Sequence, residues 1–371
     1  MINIQKWLIL TGVFGALIIV GCVTDDKLRS ASQSVDGVAS KTSFKDIPAD
    51  QFDLQNWKLT LSVDEDKNGK VDNVKISALQ SYSHSDFFYL DDQNRMVFVT
   101  PNKGPTTRNS LSTRTELRYM SSGDDKVLGP RSPKNSFALA AHSEADSFAS
   151  IGGKMEATLR VDHVPTVGVK PYHGASIFAA AVGQIHAVKY GNDGDGFGYG
   201  NEPLKIFYKK WPHHETGSVY WTYERNLAKG NPDRTDIVYP VWGHHRNNEN
   251  DPGASGIALG EEFSYTANVH KNTLYLTFET ASQDTVHHQI NLANNIDANG
   301  RVDAADNPMG YTQDAHYFKA GVYNQCRGQK KVTDTKARCG GTGDWAIDKA
   351  EGHYFQASFS RLVVGPSTSP E

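Results

Sequence analysis

Long helical periodicity is what this sequence most clearly lacks. Across 371 residues only "ADQFDL" and "KISALQSY" have the pattern of a helix, and each is short. That excludes a helical bundle and argues against alternating strand–helix units. A basic surplus is missing too: 38 Lys and Arg stand against 42 Asp and Glu, a formal net charge of −4. No global field draws in nucleic acid, so any anion site must rest on a local cluster of Lys and Arg. No internal repeat and no second compositional regime occur, which excludes a solenoid and leaves no sign of an appended binding module. Adjacent histidines in "WPHHE" and "GHHR" have no clear third ligand, so they read as loop residues, and no metal centre is expected there. Cysteine is scarce, with three in the chain, and each needs its own explanation. What remains is globular in composition: 38% hydrophobic, 10% aromatic and 22% charged.

The N-terminus holds the one long apolar run. Lys6 precedes "WLILTGVFGALIIV", which is short for a membrane span and suits a signal sequence. It ends in Ile-Val-Gly-Cys and so resembles the bacterial lipoprotein cleavage box. Residues 1–21 then form a lipoprotein signal peptide, and Cys22 becomes the lipid-bearing N-terminus of an exported protein. No Asp follows Cys22 directly, which points towards the outer membrane. Residues 22–45 are Ser-, Asp-, Lys- and Ala-rich and aperiodic, so they read as a flexible tether. Residues 46–371 form the folded domain, expected to be a monomer.

Within that domain, segments such as "NWKLTLSV", "RMVFVTP", "KMEATLRVDHV", "GSVYWTYER" and "YFQASFSRLVVG" recur between clusters of Gly, Asn, Asp and Pro. Their Val, Ile, Thr, Tyr and Phe alternate with polar residues, the signature of half-buried strands. Eleven or more such segments predict an all-β fold, a jelly-roll sandwich of two antiparallel sheets.

Three of the segments have an odd second face. In "STRTELRY", strand alternation aims Arg114, Glu116 and Arg118 one way and Thr113, Thr115, Leu117 and Tyr119 the other. In "GQIHA", Gln184 and His186 share a face. In "YFKAGVYNQ", Tyr317, Lys319, Gly321, Tyr323 and Gln325 share one, opposite Phe318, Ala320 and Val322. Guanidinium, amide, imidazole, ammonium and phenol together suit a sugar acid: Arg grips a carboxylate bidentately and aromatic rings pack on pyranose faces. The blocks "RTELR", "QIH" and "YFKAGVYNQ", in this order, resemble those of alginate lyases of polysaccharide lyase family 7, and "NWKLTL" and "LKIFYKK" are also similar to that family.

The resemblance implies a concave substrate cleft across one sheet and cleavage of alginate, a 1,4-linked mannuronate and guluronate polymer, by β-elimination. It assigns Arg114 and Gln184 to the substrate carboxylate. His186 becomes the base or proton-holding partner, and Tyr323 the acid, or acid and base in turn. Arg118, Glu116, Lys319, Asn324 and Gln325 would line the substrate site, with Glu116 holding Arg114 or Arg118. Arg114, Arg118 and Lys319 would supply the positive field that favours a tyrosinate. Lys205 and Lys209, two apart in "LKIFYKKW", share a strand face and would line the cleft for the polyanion. Ile185 in the second block leans towards guluronate. No cofactor is required. Two rivals are a glycoside hydrolase and a lectin. The first needs a closely alternating acid pair that no convincing strand supplies, and the second does not need a proton-transfer pair.

Two signals stand apart. "DEDKNGKVD" places Asp64, Asp66, Asn68 and Asp72 at the odd positions of a calcium loop with Gly69 at the turn. Position twelve is Lys75 rather than the bidentate Glu such a loop needs, so a polar hairpin is the main reading and a structural Ca²⁺ the alternative. With Cys22 lipidated in an oxidising compartment, Cys326 and Cys339 remain to form a disulfide, which contributes roughly 3 kcal/mol in the chain-entropy model.

Overall fold

Alternation of apolar and polar residues builds two antiparallel sheets in the computed structural model, which describes residues 47–124, 128–168, 177–190, 200–328 and 338–370. The larger sheet has eight main strands: β1 (Trp57–Leu61), β2 (Asp72–Val74), β5 (Arg114–Tyr119), β9 (Ala179–Lys189), β10 (Leu204–Lys209), β11 (Thr216–Glu224), β12 (Asp236–Trp242) and β17 (Asp314–Asn324). Their spatial order is β12-β11-β10-β9-β17-β5-β1-β2, with β6 (Phe137–Ala138), β7 (Ser150–Ile151) and β13 (Ile257–Ala258) attached at the side. The second sheet runs β16-β15-β14-β8-β18-β4-β3. Its members are β3 (Phe88–Leu90), β4 (Met96–Pro101), β8 (Gly153–His163), β14 (Glu262–His270), β15 (Thr273–Thr280), β16 (Val286–Asn291) and β18 (Tyr354–Gly365). The two-sheet jelly roll expected from the strand pattern is the architecture found. The signal peptide, Cys22 and the tether lie outside the described residues, among which no helix is long and apolar enough to cross a membrane.

The helices are short. Those in the two expected segments span Pro48–Gln51 and Ile76–Leu79. A third, Trp345–Ala350, starts where the Asp344 carboxylate accepts from the Ala346 and Ile347 amides, an N-cap that a strand-centred reading passes over.

The core lies between the sheets. Phe88, Phe98 and Phe359 from the smaller sheet pack in one cluster with Trp57, Leu117, Ile185, Phe318 and Val322 from the larger. Burial of each such side chain stabilises by about 1.5–3 kcal/mol. The strands differ in how much of their second face is covered. Along β8 buried and half-exposed residues alternate, as in a sheet with one face in water. Along β17 ten of eleven residues are buried, so the polar face is enclosed as well.

Two glycines set the middle of the larger sheet. The β9–β17 register slips between Ala320 and Tyr323, and Gly321 there has φ +128°, a conformation that side chains rarely adopt. A Cβ at Gly183 would run into the Tyr265 ring beneath it, whose hydroxyl donates to the Val182 carbonyl at 3.2 Å. The bulge lets Val322 stay in the core while Tyr323 turns to the outer face.

Candidate active site

Pairing places the three odd segments side by side. On β17, Lys319 sits opposite Arg118 of β5 on one flank and Gln184 of β9 on the other. Tyr323 faces Arg114 of β5, and Tyr317 faces His186 of β9. The row continues to Lys58 of β1 beyond Arg118 and to Lys205 of β10 beyond Gln184.

Glu116 is the hub of this face and is 2% exposed. Its carboxylate accepts from Arg114 Nη1 at 3.0 Å and from Lys319 Nζ, while Gln184 Nε2 donates to its second oxygen. A buried carboxylate with three donors is fully engaged, so its role here is to hold them. Arg118 is not among the three. It stacks on the Tyr317 ring at 3.7 Å and donates to the Pro130 carbonyl, which answers the open choice between the two arginines in favour of Arg114. Arg114 in turn lies over the Tyr323 ring at 3.9 Å, with Lys319 Nζ at 6.0 Å. Two of the three cations expected around Tyr323 are therefore there, and Arg118 serves Tyr317 instead.

The Tyr323 hydroxyl is 3.1 Å from Ser110 Oγ, which also donates to the Ser112 carbonyl and accepts from the Ser112 amide. With its own hydrogen given to that carbonyl, Ser110 accepts from the phenol. Arg114 Nε and Gln184 Oε1 are buried with no hydrogen-bond partner among the described residues. The Arg114 Nε donor and the Gln184 Oε1 acceptor therefore remain for a ligand.

Burial and the neighbouring Arg114 charge lower the Lys319 ammonium to about 8, although Glu116 pulls the other way. Lys58 is lowered to about 8 by burial and then by Arg118. Burial takes the His186 imidazole down to about 4 against the attraction of Glu202. Its ring stacks on Tyr317 at 5.2 Å.

Beyond Gln184 the picture changes. Lys205 does not line the cleft as a free cation. Its Nζ contacts Glu202 at 3.2 Å, Glu224 at 3.7 Å and Asp236 at 3.0 Å. Burial opposes its charge, but the three carboxylates outweigh it and hold the ammonium well above its ordinary range. Arg234 pairs with Glu224 at 2.9 Å and Arg246 with Asp236 at 3.4 Å. Lys209 shares the outer face but donates to the Arg246 carbonyl at 2.7 Å, and burial lowers it to about 8. Asn324 is a second correction. Strand parity turns it inward, fully buried, where it donates to Asn102 Oδ1 at 2.9 Å and accepts from the Cys326 amide at 2.8 Å. It cannot meet a ligand on the outer face. Gln325 follows the strand, half-buried, with its amide donating to the Tyr323 carbonyl at 3.4 Å.

Residues 52–366 match the family model described as alginate lyase. An alginate lyase of Klebsiella pneumoniae is 35% identical over 287 residues, which is 75% of this chain and 84% of that protein. This chain belongs to the alginate lyase family. A crystal structure of an alginate lyase from Klebsiella pneumoniae is similar at TM-score 0.67 and 30% identity, covering 87% of this chain and 99% of that one. The exolytic family 7 alginate lyase of Zobellia galactanivorans is similar at TM-score 0.68 and 31% identity, with 88% and 99% covered. In this alginate lyase fold the acids Glu202, Glu224 and Asp236 were not foreseen. Glu202 sits in the loop before β10, where alternation says nothing, whereas Glu224 shares a strand face with Thr222 and Tyr220 and opposes Asp236 in register.

The two separate signals also have outcomes. Cys326 and Cys339 are joined, buried beside Ile177, Phe178 and Trp211. Asp64, Asp66 and Asp72 do cluster, but each accepts from backbone amides of its own hairpin, at Gly69, Asn68 and Glu65 respectively. Those bonds account for the polar turn without an ion.

Proposed function

We propose that this chain cleaves alginate by β-elimination, leaving 4,5-unsaturated uronate ends. The observation that carries the reading is the convergence of Arg114, Gln184, Lys319 and Tyr323 around one buried carboxylate, Glu116, on a single sheet face.

The chemistry has three demands. The C5 proton lies α to a carboxylate, and removing it beside that charge is very unfavourable unless the charge is masked. Arg114 and Gln184 mask it and stabilise the enolate-like dianion as it forms. A base takes the C5 proton, the C–H electron pair becomes the C4–C5 double bond, and the C4–O4 pair leaves with the oxygen. Tyr323 gives that oxygen a proton. With His186 as the base, the two groups act from opposite ring faces, as guluronate requires. With Tyr323 as base and acid in turn, both steps occur on one face, as mannuronate requires.

Incubation with alginate tests the reading. A rise in ultraviolet absorbance from the conjugated uronate is expected. Reducing ends without absorbance would mean a hydrolase, and binding without either would mean a lectin.

We also propose that residues 1–21 are removed, that Cys22 carries lipid in the outer membrane, and that residues 22–45 tether a monomeric domain of residues 46–371. Lys6, the apolar run and the Val-Gly-Cys ending support this. Labelling with a radioactive fatty acid should mark the wild type and not Cys22→Ala.

A further inference from the structure

The contacts of His186 contain a mismatch. Its Nδ1 is 2.9 Å from the Ala187 carbonyl and its Nε2 is 3.3 Å from Glu202 Oε1. Both neighbours are acceptors. A neutral imidazole has one N–H and can satisfy only one of them, whereas an imidazolium satisfies both. The ring is also fixed in plane by its stack on Tyr317.

Glu202 is itself held from several sides. Its other oxygen meets Lys205 at 3.2 Å, its carboxyl hydrogen-bonds that of Glu224, and its amide donates to Glu224 Oε2 at 3.1 Å. We infer that Glu202 is a positioning residue for the elimination: it fixes the His186 ring and stabilises the imidazolium formed when the ring takes the C5 proton. This inference rests on the function proposed above. In that step the proton passes from C5 to Nε2, the C–H pair becomes the double bond, and Tyr323 supplies the proton that O4 takes. The imidazolium so formed has its charge 3.3 Å from Glu202 Oε1, which stabilises it.

The surroundings agree in sign. Burial lowers the imidazole, Glu202 raises it, and Lys319 of β17 and Arg118 of β5 lower it further. Tyr317 presents only its ring face. Among the described residues Glu202 is thus the one carboxylate acting on His186. Lys205 keeps Glu202 ionised, against the burial that would raise it. Glu224 shows the opposite shift: burial and then its bond to Glu202 push it up.

The test is Glu202→Gln beside Glu224→Gln, read in two ways. Nitrogen-15 signals of the His186 ring, assigned by their loss in His186→Gln, give its titration midpoint in the folded, substrate-free protein. Turnover across pH gives the acid limb of kcat/KM. Glu202→Gln should move the ring midpoint and the acid limb to lower pH, and should cut kcat by roughly tenfold or more with KM within about twofold. Glu224→Gln, which changes a carboxyl that is not among the groups acting on His186, should leave the midpoint in place. An unmoved midpoint in Glu202→Gln overturns the inference, and so does an equal shift in Glu224→Gln, because the cause would then be the charge of the cluster. If Glu202→Gln fails to fold, Glu202→Asp withdraws the carboxylate by one methylene and should give an intermediate midpoint; a wild-type midpoint there overturns the inference. Absence of alginate cleavage in the wild type would sink the proposed function while the ring titration still reported on the contact.

Discussion

The two flanks of the larger sheet treat charge in opposite ways. On the β1–β5–β17 side, Lys58, Arg114, Arg118 and Lys319 lie on a face whose one carboxylate among the described residues, Glu116, pairs with Arg114 and Lys319 alone. In the β10–β12 cluster, Lys205, Arg234 and Arg246 meet Glu202, Glu224 and Asp236, three against three. The first flank keeps unmatched positive charge, and burial holds Lys58 and Lys319 near the edge of losing theirs. The second has closed its own circuit. A polyanion is attracted where cations are left over, so the two flanks read as a binding surface and a structural brace that share one face.

The largest test of that division lies at Tyr323. Tyr323→Phe keeps the ring under Arg114 and removes the one proton donor, so kcat should fall by about 10³-fold or more while binding of alginate persists. A variant with near-normal turnover would move the acid role elsewhere. Arg114→Ala should cost roughly 10²–10³ in kcat and weaken binding too, because it strips the carboxylate mask and leaves Glu116 short of a partner. Both are read from initial rates of absorbance increase against alginate concentration.

A smaller effect is expected from pH. Lys319 is charged below about 8 and neutral above it, whereas a free lysine stays charged to about 10.5. Wild-type KM should therefore rise as pH passes through about 8. Lys319→Met should show the raised KM already at pH 7 and a smaller further rise, carried by Lys58. Parallel curves for the two proteins would assign the alkaline change to another group.

How much of this was legible beforehand follows from geometry. Side-chain alternation put Arg114 with Glu116, Gln184 with His186, and Lys319 with Tyr323 on the correct face, because a strand has a strict period of two. The bulge at Gly321 did not break the pattern, since its extra residue keeps Tyr323 outward. Asn324 shows what happens when a motif overrides that rule. The block "YFKAGVYNQ" assigns it to the site, although its parity opposes Tyr323, and it is buried inside. Lys205 shows the opposite limit. Its face was right, but its partners come from a loop and from two other strands, and no local pattern announces such contacts. Glu202 was illegible for the same reason.

The least effect on turnover, and the sharpest contrast between flanks, should come from removing Lys205 and Lys58 in turn. Lys205→Met leaves three carboxylates around an apolar side chain, and breaking a buried ion pair typically costs about 3–5 kcal/mol. Denaturant unfolding at pH 7 should show a loss of that order. The deficit should shrink at lower pH, where Glu202, whose charge burial disfavours once Lys205 is gone, takes up a proton. Turnover per folded molecule should also fall, by less than in Glu202→Gln, because Lys205 helps keep Glu202 ionised. Lys58→Met removes a half-buried cation beside Arg118 whose charge desolvation already disfavours, so its stability should hold or rise while KM for the polymer increases by a few-fold. If Lys205→Met instead raised KM and left stability untouched, the brace would be part of the binding surface and the division between flanks would fail.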